Sequence, residues 1–190
     1  MDSNGMLLCE YLWAAMYVLW LIWALRTKPT RSREGLVSRL SHRLPIIVAL
    51  VLMFTPYAAK GWLQFPLFSK DFWVQLLGVS LTLTGLLFAV WARLYLGGNW
   101  SSAVTVKVGH ELVRGGPYRW VRHPIYSGLV LAMLGTAIAN REVRGVIALV
   151  LMFVALTIKS RTEERAMTST FGEEYEEYSR NTGGILPKFH

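Results

Sequence analysis

Five apolar runs separated by polar blocks govern what this chain can fold into. The first, Met6 to Leu25, is about twenty residues broken only by Glu10, and a helix of that length rising about 1.5 Å per residue spans a hydrocarbon core of roughly 30 Å. Its amino-terminal flank carries Asp2, and its basic residues follow the apolar stretch rather than precede it. That order predicts a retained membrane anchor rather than a cleaved leader. A second run extends from Leu44 to about Leu63, with Pro45 expected in the first helical turn and Pro56 as a kink. A third covers Phe72 to Leu96, with Trp73 and Trp91 near its ends at headgroup depth. Two shorter runs, Ile125 to Ala139 and Gly145 to Ile158, are joined by Asn140 to Arg144. At about fifteen residues, or roughly 22 Å each, they predict a short helical hairpin.

Charge sets the expected orientation. Arg26, Lys28, Arg31, Arg33, Arg39 and Arg43 face one acid, Glu34, and Lys107, Arg114, Arg119 and Arg122 face Glu111 alone. The positive-inside rule puts both blocks in the cytosol and the amino terminus outside. Arg141 and Arg144, at the hairpin tip, run against that rule. The last thirty-two residues hold six glutamates and five basic residues, and predict an amphipathic cytosolic helix from about Lys159 to Arg180, ended near Gly183, Gly184 and Pro187. The expected fold class is therefore an all-α integral membrane protein with about five transmembrane helices and a cytosolic carboxyl-terminal helix. Residues 1–190 read as one domain, with three helices in 1–96 and the polar loop, hairpin and tail helix in 97–190.

Composition narrows the function classes. Charged residues make up 17% against 53% hydrophobic, which argues against disorder and an ordinary soluble enzyme. The net charge of +8 belongs to the membrane-flanking loops, so no nucleic-acid partner is expected. One cysteine, Cys9, excludes a disulfide scaffold. Four histidines, His42, His110, His123 and His190, are too few for a histidine-rich di-iron site, and no CxxC pair exists for zinc, so no metal is expected.

Two polar blocks fall on one predicted side of the membrane. In the first, His110, Leu112, Val113, Gly116, Pro117, Tyr118, Arg122, His123, Pro124, Tyr126 and Gly128 spell H-x-L-V-x-x-G-P-Y-x-x-x-R-H-P-x-Y-x-G. In the second, Glu163 and Glu164 are followed, after six intervening residues, by Phe171, Gly172, Tyr175 and Tyr178 as F-G-x-x-Y-x-x-Y. Tyr118, Tyr126, His110, His123 and Glu163 offer rings, a carboxylate and hydrogen-bond partners, a set suited to a ligand that carries a cation, an aromatic base and polar groups. Each residue also has a plainer role: interfacial anchors for the tyrosines, a helix cap for His123, and a solvated pair for Glu163 and Glu164 with Arg161 or Arg165. Glu173, Glu174, Glu176 and Glu177 are assigned to solvent. Membrane anchoring alone requires neither the spacing of the first motif nor the second motif forty residues on.

Together the two motifs, which span roughly the carboxyl-terminal half, resemble the isoprenylcysteine carboxyl methyltransferase family, with phospholipid methyltransferases and some membrane double-bond reductases similar at R-H-P-x-Y. The resemblance implies a cytosolic pocket for S-adenosylmethionine built from His110, Glu111, Leu112, Val113, Tyr118, His123, Pro124, Ile125, Tyr126, Glu163 and Glu164, and a lipidic or prenylated acceptor entering from the bilayer. It implies a basic residue four positions before the first glutamate to hold an acceptor carboxylate. Lys159 stands where the eukaryotic enzymes have arginine, and either Lys159 or Arg161 is expected to hold the acceptor carboxylate. Ala103 and Val104 offer only backbone where the family often has a polar contact. The chemistry expected is O-methylation of a lipid-linked carboxylate. Methylation of a phospholipid amine is the alternative, followed by hydride reduction of a double bond and by a scaffold without turnover. The missing G-x-G-x-x-G argues against a reductase.

Overall fold

The structure, a computed structural model, describes residues 4–24, 35–58, 60–97 and 112–188. Arg26, Lys28, Arg31, Arg33, Ala103, Val104, Lys107, His110 and Glu111 lie outside these. Among the described residues six α-helices follow in order: α1 (Asn4–Ala24), α2 (Leu36–Phe54), α3 (Phe72–Leu96), α4 (Pro124–Asn140), α5 (Val143–Phe171) and α6 (Glu173–Asn181). Among the described residues α1, α2, α3 and α5 contain stretches long and apolar enough to cross a membrane, and α4 is a shorter apolar helix.

The third apolar run coincides with α3, but the second is displaced. The helix α2 begins at Leu36, so Pro45 sits in its interior rather than its first turn. It ends at Phe54 because Thr55, preceding Pro56, is extended (φ −112°, ψ 97°), as the ring of a following proline demands. Pro56 thus opens the short turn Pro56–Ala58 and kinks nothing.

The tail also differs from expectation. No helix starts at Lys159: α5 passes from its apolar half into its polar half without a break and ends at Phe171. Gly172, at φ +54°, takes a conformation that costs glycine little and other residues more, and the chain restarts as the short α6. The two helices of the expected hairpin therefore have unequal lengths, 17 and 29 residues.

The axis of the bundle is the α3–α4 pair, against which α1 packs, while α2 packs along α5. Gly78 faces Gly135 and Gly85 faces Gly128, each so close that an added Cβ would lie 2.5–2.8 Å from the opposing carbonyl oxygen. Small residues at such a crossing let backbones meet, which is how helices gain contact where lipid removes the hydrophobic drive. A buried polar layer pins α1 to this pair. Thr82 Oγ1 lies 3.2 Å from Thr136 Oγ1 and 3.4 Å from Cys9 Sγ, and Trp13 Nε1 donates to Thr136 Oγ1 at 3.0 Å.

At the α4–α5 turn, Arg144 is buried, pairs with Glu142 and donates to Leu52 O at 3.2 Å, the carbonyl-rich end of α2. Its charge is spent inside the bundle, which removes much of its conflict with the positive-inside pattern. Arg141 takes a left-handed conformation (φ 65°) to make the turn.

Candidate functional site

At the opposite end of the bundle the R-H-P-x-Y motif enters α4. Pro124 occupies the first turn, and His123 is the residue just outside it, the position where proline's fixed φ and missing N–H cost nothing. The preceding turn, Gly116–Arg119, packs beneath Tyr95. Gly116 adopts φ +56°, and a Cβ there would meet the Tyr95 ring at 2.6 Å.

His123 bridges the two adjacent glutamates of α5. Its Nε2 lies 3.1 Å from Glu164 Oε1 and its Nδ1 3.4 Å from Glu163 Oε2. Arg122 Nε donates to the same Glu164 oxygen at 2.8 Å, and the Tyr126 hydroxyl donates to Glu163 Oε1 at 2.6 Å. The Tyr126 ring lies parallel to the His123 ring, with centroids 5.4 Å apart. Lys159, one turn before Glu163, brings its Nζ to 4.0 Å from Glu163 Oε1 and 5.3 Å from the Tyr126 ring centroid. All of these side chains are largely shielded, from 9% exposed at His123 to 26% at Glu164. Burial alone would push the His123 imidazole down, but hydrogen bonds to Glu163 and Glu164 and their charge outweigh it and hold its pKa above the ordinary 6.5.

The tail closes over this cluster. Arg122 Nη1 donates to Ser179 O at 2.9 Å and to Thr182 O at 2.6 Å, capping the carbonyl end of α6. Gly183 exchanges backbone bonds with Trp120 and Arg122, His123 N donates to Gly184 O at 3.3 Å, and Ser127 Oγ to Ile185 O. Tyr178 donates its hydroxyl to Tyr118 O at 2.6 Å. Burial raises the phenols of Tyr118, Tyr175 and Tyr178, the last to about 12, so all three remain protonated.

The structure thus brings together Lys159, His123, Tyr126, Glu163 and Glu164, with Pro124 and Ile125 forming the turn beneath and Tyr118 buried behind. Leu112 and Val113 are partly buried, Val113 against the Tyr118 and Ile125 cluster. His110 and Glu111 lie outside the described residues. Arg161 is exposed, two positions from Lys159 on a helix, a spacing that turns side chains to different faces. Glu173, Glu174, Glu176 and Glu177 are exposed as expected, with Glu174 paired to Arg114. The residue the sequence undervalued is Arg122, whose role lies in carbonyls far along the chain. Its available signal was the Y-x-x-Y spacing, which buries Tyr175 and Tyr178 on one face of α6. No group of three His, Cys, Asp or Glu side chains fit to hold a metal occurs among the described residues.

Comparison with known proteins gives this site a family. Residues 73–174 match the phospholipid methyltransferase family model, a stretch holding all of α3 but its first residue, α4, α5 and every member of the cluster. The protein-S-isoprenylcysteine O-methyltransferase of Homo sapiens is 31% identical over 147 residues, covering 72% of this chain and 51% of that protein. The cobalt-zinc-cadmium resistance protein CzcN of Cupriavidus metallidurans is 36% identical over 171 residues, covering 84% and 69%. A solved structure of the eukaryotic intramembrane Ras methyltransferase, isoprenylcysteine carboxyl methyltransferase, aligns with a TM-score of 0.42 at 24% identity over 80% of this chain and 51% of that one. The chain spans about half the length of the mammalian relatives it matches. By its matched segment and its relatives, this integral membrane chain belongs to the phospholipid methyltransferase family.

Proposed function

We propose that the chain is an S-adenosylmethionine-dependent methyltransferase that esterifies the carboxylate of a lipid-linked acceptor, such as a prenylated cysteine. In this reading residues 1–190 form one catalytic domain with five crossings, α4 completing the set with help from flanking residues. The amino terminus lies outside and the site faces the cytosol, in a bacterial or archaeal cytoplasmic membrane or the endoplasmic reticulum of a eukaryote.

The observation that carries the choice of acceptor is that both glutamates are already held by donors and cations. Glu163 already accepts from Tyr126 and faces His123 and Lys159, and Glu164 is held by Arg122 and His123. Neither stands ready to remove a proton. A carboxylate acceptor requires no such base, being ionised at neutral pH with an unperturbed pKa of about 3.5. An ammonium acceptor does require one.

The described residues fit a sulfonium donor. The Lys159 ammonium sits between the Tyr126 ring and Glu163, so this ring and carboxylate already hold a cation between them. When bound, S-adenosylmethionine would supply an electrophilic methyl on a sulfonium, and its transfer to a carboxylate would annihilate one positive and one negative charge. The chain's part is to position and to desolvate. Tyr126 and Glu163 would hold the cationic centre, with Tyr118, His123, Pro124 and Ile125 walling the pocket alongside His110, Glu111, Leu112 and Val113. Lys159 would swing to the acceptor carboxylate, and Arg122 and His123 would keep both glutamates ionised and fixed.

The family description favours a second reading, methylation of a phospholipid amine, with Glu164 or His123 as proton acceptor. Incubating the solubilised chain with methyl-labelled S-adenosylmethionine and either a farnesylcysteine analogue or phosphatidylethanolamine decides between them. Label in the farnesylcysteine analogue is expected, and label confined to the amine lipid overturns the first reading.

A further inference from the structure

A groove of about 380 Å³ opens between α3, the start of α4 and the tail, within the roughly 300–1,000 Å³ of small-molecule sites. Its walls are Phe88 of α3, Arg119, Trp120 and Val121 of the segment before α4, Ser127 of α4, and Asn181, Pro187 and Lys188 of the tail. It shares no lining residue with Arg122, His123, Tyr126, Lys159, Glu163 or Glu164.

The two lining rings, Phe88 and Trp120, are linked through Trp91. Phe88 packs edge-on against Trp91 at 5.8 Å, and Trp91 against Trp120 at 6.0 Å. The Arg119 guanidinium lies 5.0 Å over the Trp120 ring. Trp91 and Trp120 remain 42% and 47% exposed. Lys188 donates one of its three N–H groups to Arg180 O. Among the described residues no carboxylate lines the groove, so its two cations are uncompensated within it.

We propose that this groove binds an anionic membrane phospholipid as a structural lipid, its phosphate between Arg119 and Lys188 and its chain against Phe88. A guanidinium over a ring face keeps its in-plane donors for a phosphate. The bilayer is the source because α3 is long and apolar enough to cross a membrane, which gives the groove one wet end and one oily end. Indoles with adjacent cations suit headgroup depth. The bound lipid braces the Asn181 to Lys188 tail that Arg122 grips from its other side, and this role is independent of methyl transfer.

The test uses the full chain in detergent, read by native mass spectrometry and thermal melting with added phosphatidylglycerol, phosphatidylcholine or glycerol phosphate. Phosphatidylglycerol is expected to be retained and to raise the melting temperature, and the other two are not. The double variant R119Q/K188Q should bind phosphatidylglycerol about tenfold to thirtyfold more weakly and melt like the wild type in phosphatidylcholine. Equal effects of the two lipids, or unchanged binding by the double variant, overturn the proposal. Stabilisation by glycerol phosphate equal to that by phosphatidylglycerol also overturns it, because a free anion would then suffice. The comparison of the three additives on the wild type stands however the variant folds.

Discussion

The Tyr126 hydroxyl donates to Glu163 Oε1 across 2.6 Å, bolting the first turn of α4 to the polar half of α5. The acceptor is an ionised group in a partly buried setting, so the bond is worth about 1.5–3 kcal/mol. Tyr126→Phe keeps the ring and its stacking on His123 but deletes that bond. The variant should lose about that much stability and bind S-adenosylmethionine more weakly, both read from melting curves with and without the donor. An unchanged melting temperature would show that the bond contributes nothing to the fold.

The clamp around His123 makes stability depend on pH. The imidazole's pKa is raised above its ordinary 6.5, so the protonated form is favoured in the folded state. Its contribution is fully present below about pH 6.5 and is lost as pH rises through the folded-state value. The wild-type melting temperature should therefore fall between about pH 6 and pH 9 more steeply than that of His123→Asn, which carries no titrating ring. Parallel curves for the two proteins would count against a protonated bridge.

Sequence reading succeeded where hydropathy alone sets an element. The helix α3 has the bounds of its apolar run, because Asp71 precedes it and Gly97, at φ +56°, ends it. It failed where apolar composition and helical geometry part company. The apolar count ends at Ile158, yet Ser160 to Ala166 contains no residue that stops a helix, so α5 continues to Phe171, where Gly172 ends it. Likewise α2 starts nine residues before Pro45, because Leu36, Val37 and Leu40 among basic residues continue a helix below hydropathy thresholds. The pairing of the R-H-P-x-Y and E-E motifs was legible as spacing. The partners of Arg122 were not, since Ser179 and Thr182 contribute backbone carbonyls that no side-chain pattern reveals.

Arg122 holds three elements at once, through Glu164 of α5, the carbonyls that end α6, and its own place before α4. Arg122→Met leaves two carbonyls and a carboxylate without their charged donor. The loss should be at least about 3 kcal/mol, taking two charge-assisted bonds at roughly 1.5 each. Because α6 and the tail are released first, limited proteolysis should cut after Gly172 faster in the variant while the apolar helices stay protected. Unaltered cleavage there would mean that the tail is held by Tyr178 and the Gly183 to Ile185 backbone bonds without Arg122.

The α3–α4 crossing tolerates no added atoms. A Cβ at Gly128 would meet Gly85 O at 2.5 Å and Ala89 N at 2.7 Å, both backbone, whereas one at Gly35 meets nothing within 4 Å. Gly128→Ala should therefore destabilise by about 1–3 kcal/mol or more, and Gly35→Ala should be nearly neutral. Melting in detergent separates the two, and an equally mild effect at Gly128 would show that the helices can move apart at little cost.

Lys159 makes the sharpest distinction between donor and acceptor. Its ammonium rests 4.0 Å from Glu163 Oε1 and 5.3 Å from the Tyr126 ring centroid, where it competes with any other cation for the same carboxylate and ring face. If its task is to grip an acceptor carboxylate, removing it frees the cation position and deprives the acceptor. Lys159→Met should then raise the acceptor KM about tenfold, the equivalent of one contact of about 1.4 kcal/mol, while the affinity for S-adenosylmethionine stays level or tightens. Lys159→Arg should restore acceptor use, since a guanidinium grips a carboxylate at least as well. Arg161→Met, altering an exposed residue on another face of α5, should change neither. Should Lys159→Met weaken donor and acceptor alike, the lysine would belong to the donor pocket, and the acceptor's counter-charge would have to come from elsewhere in the chain.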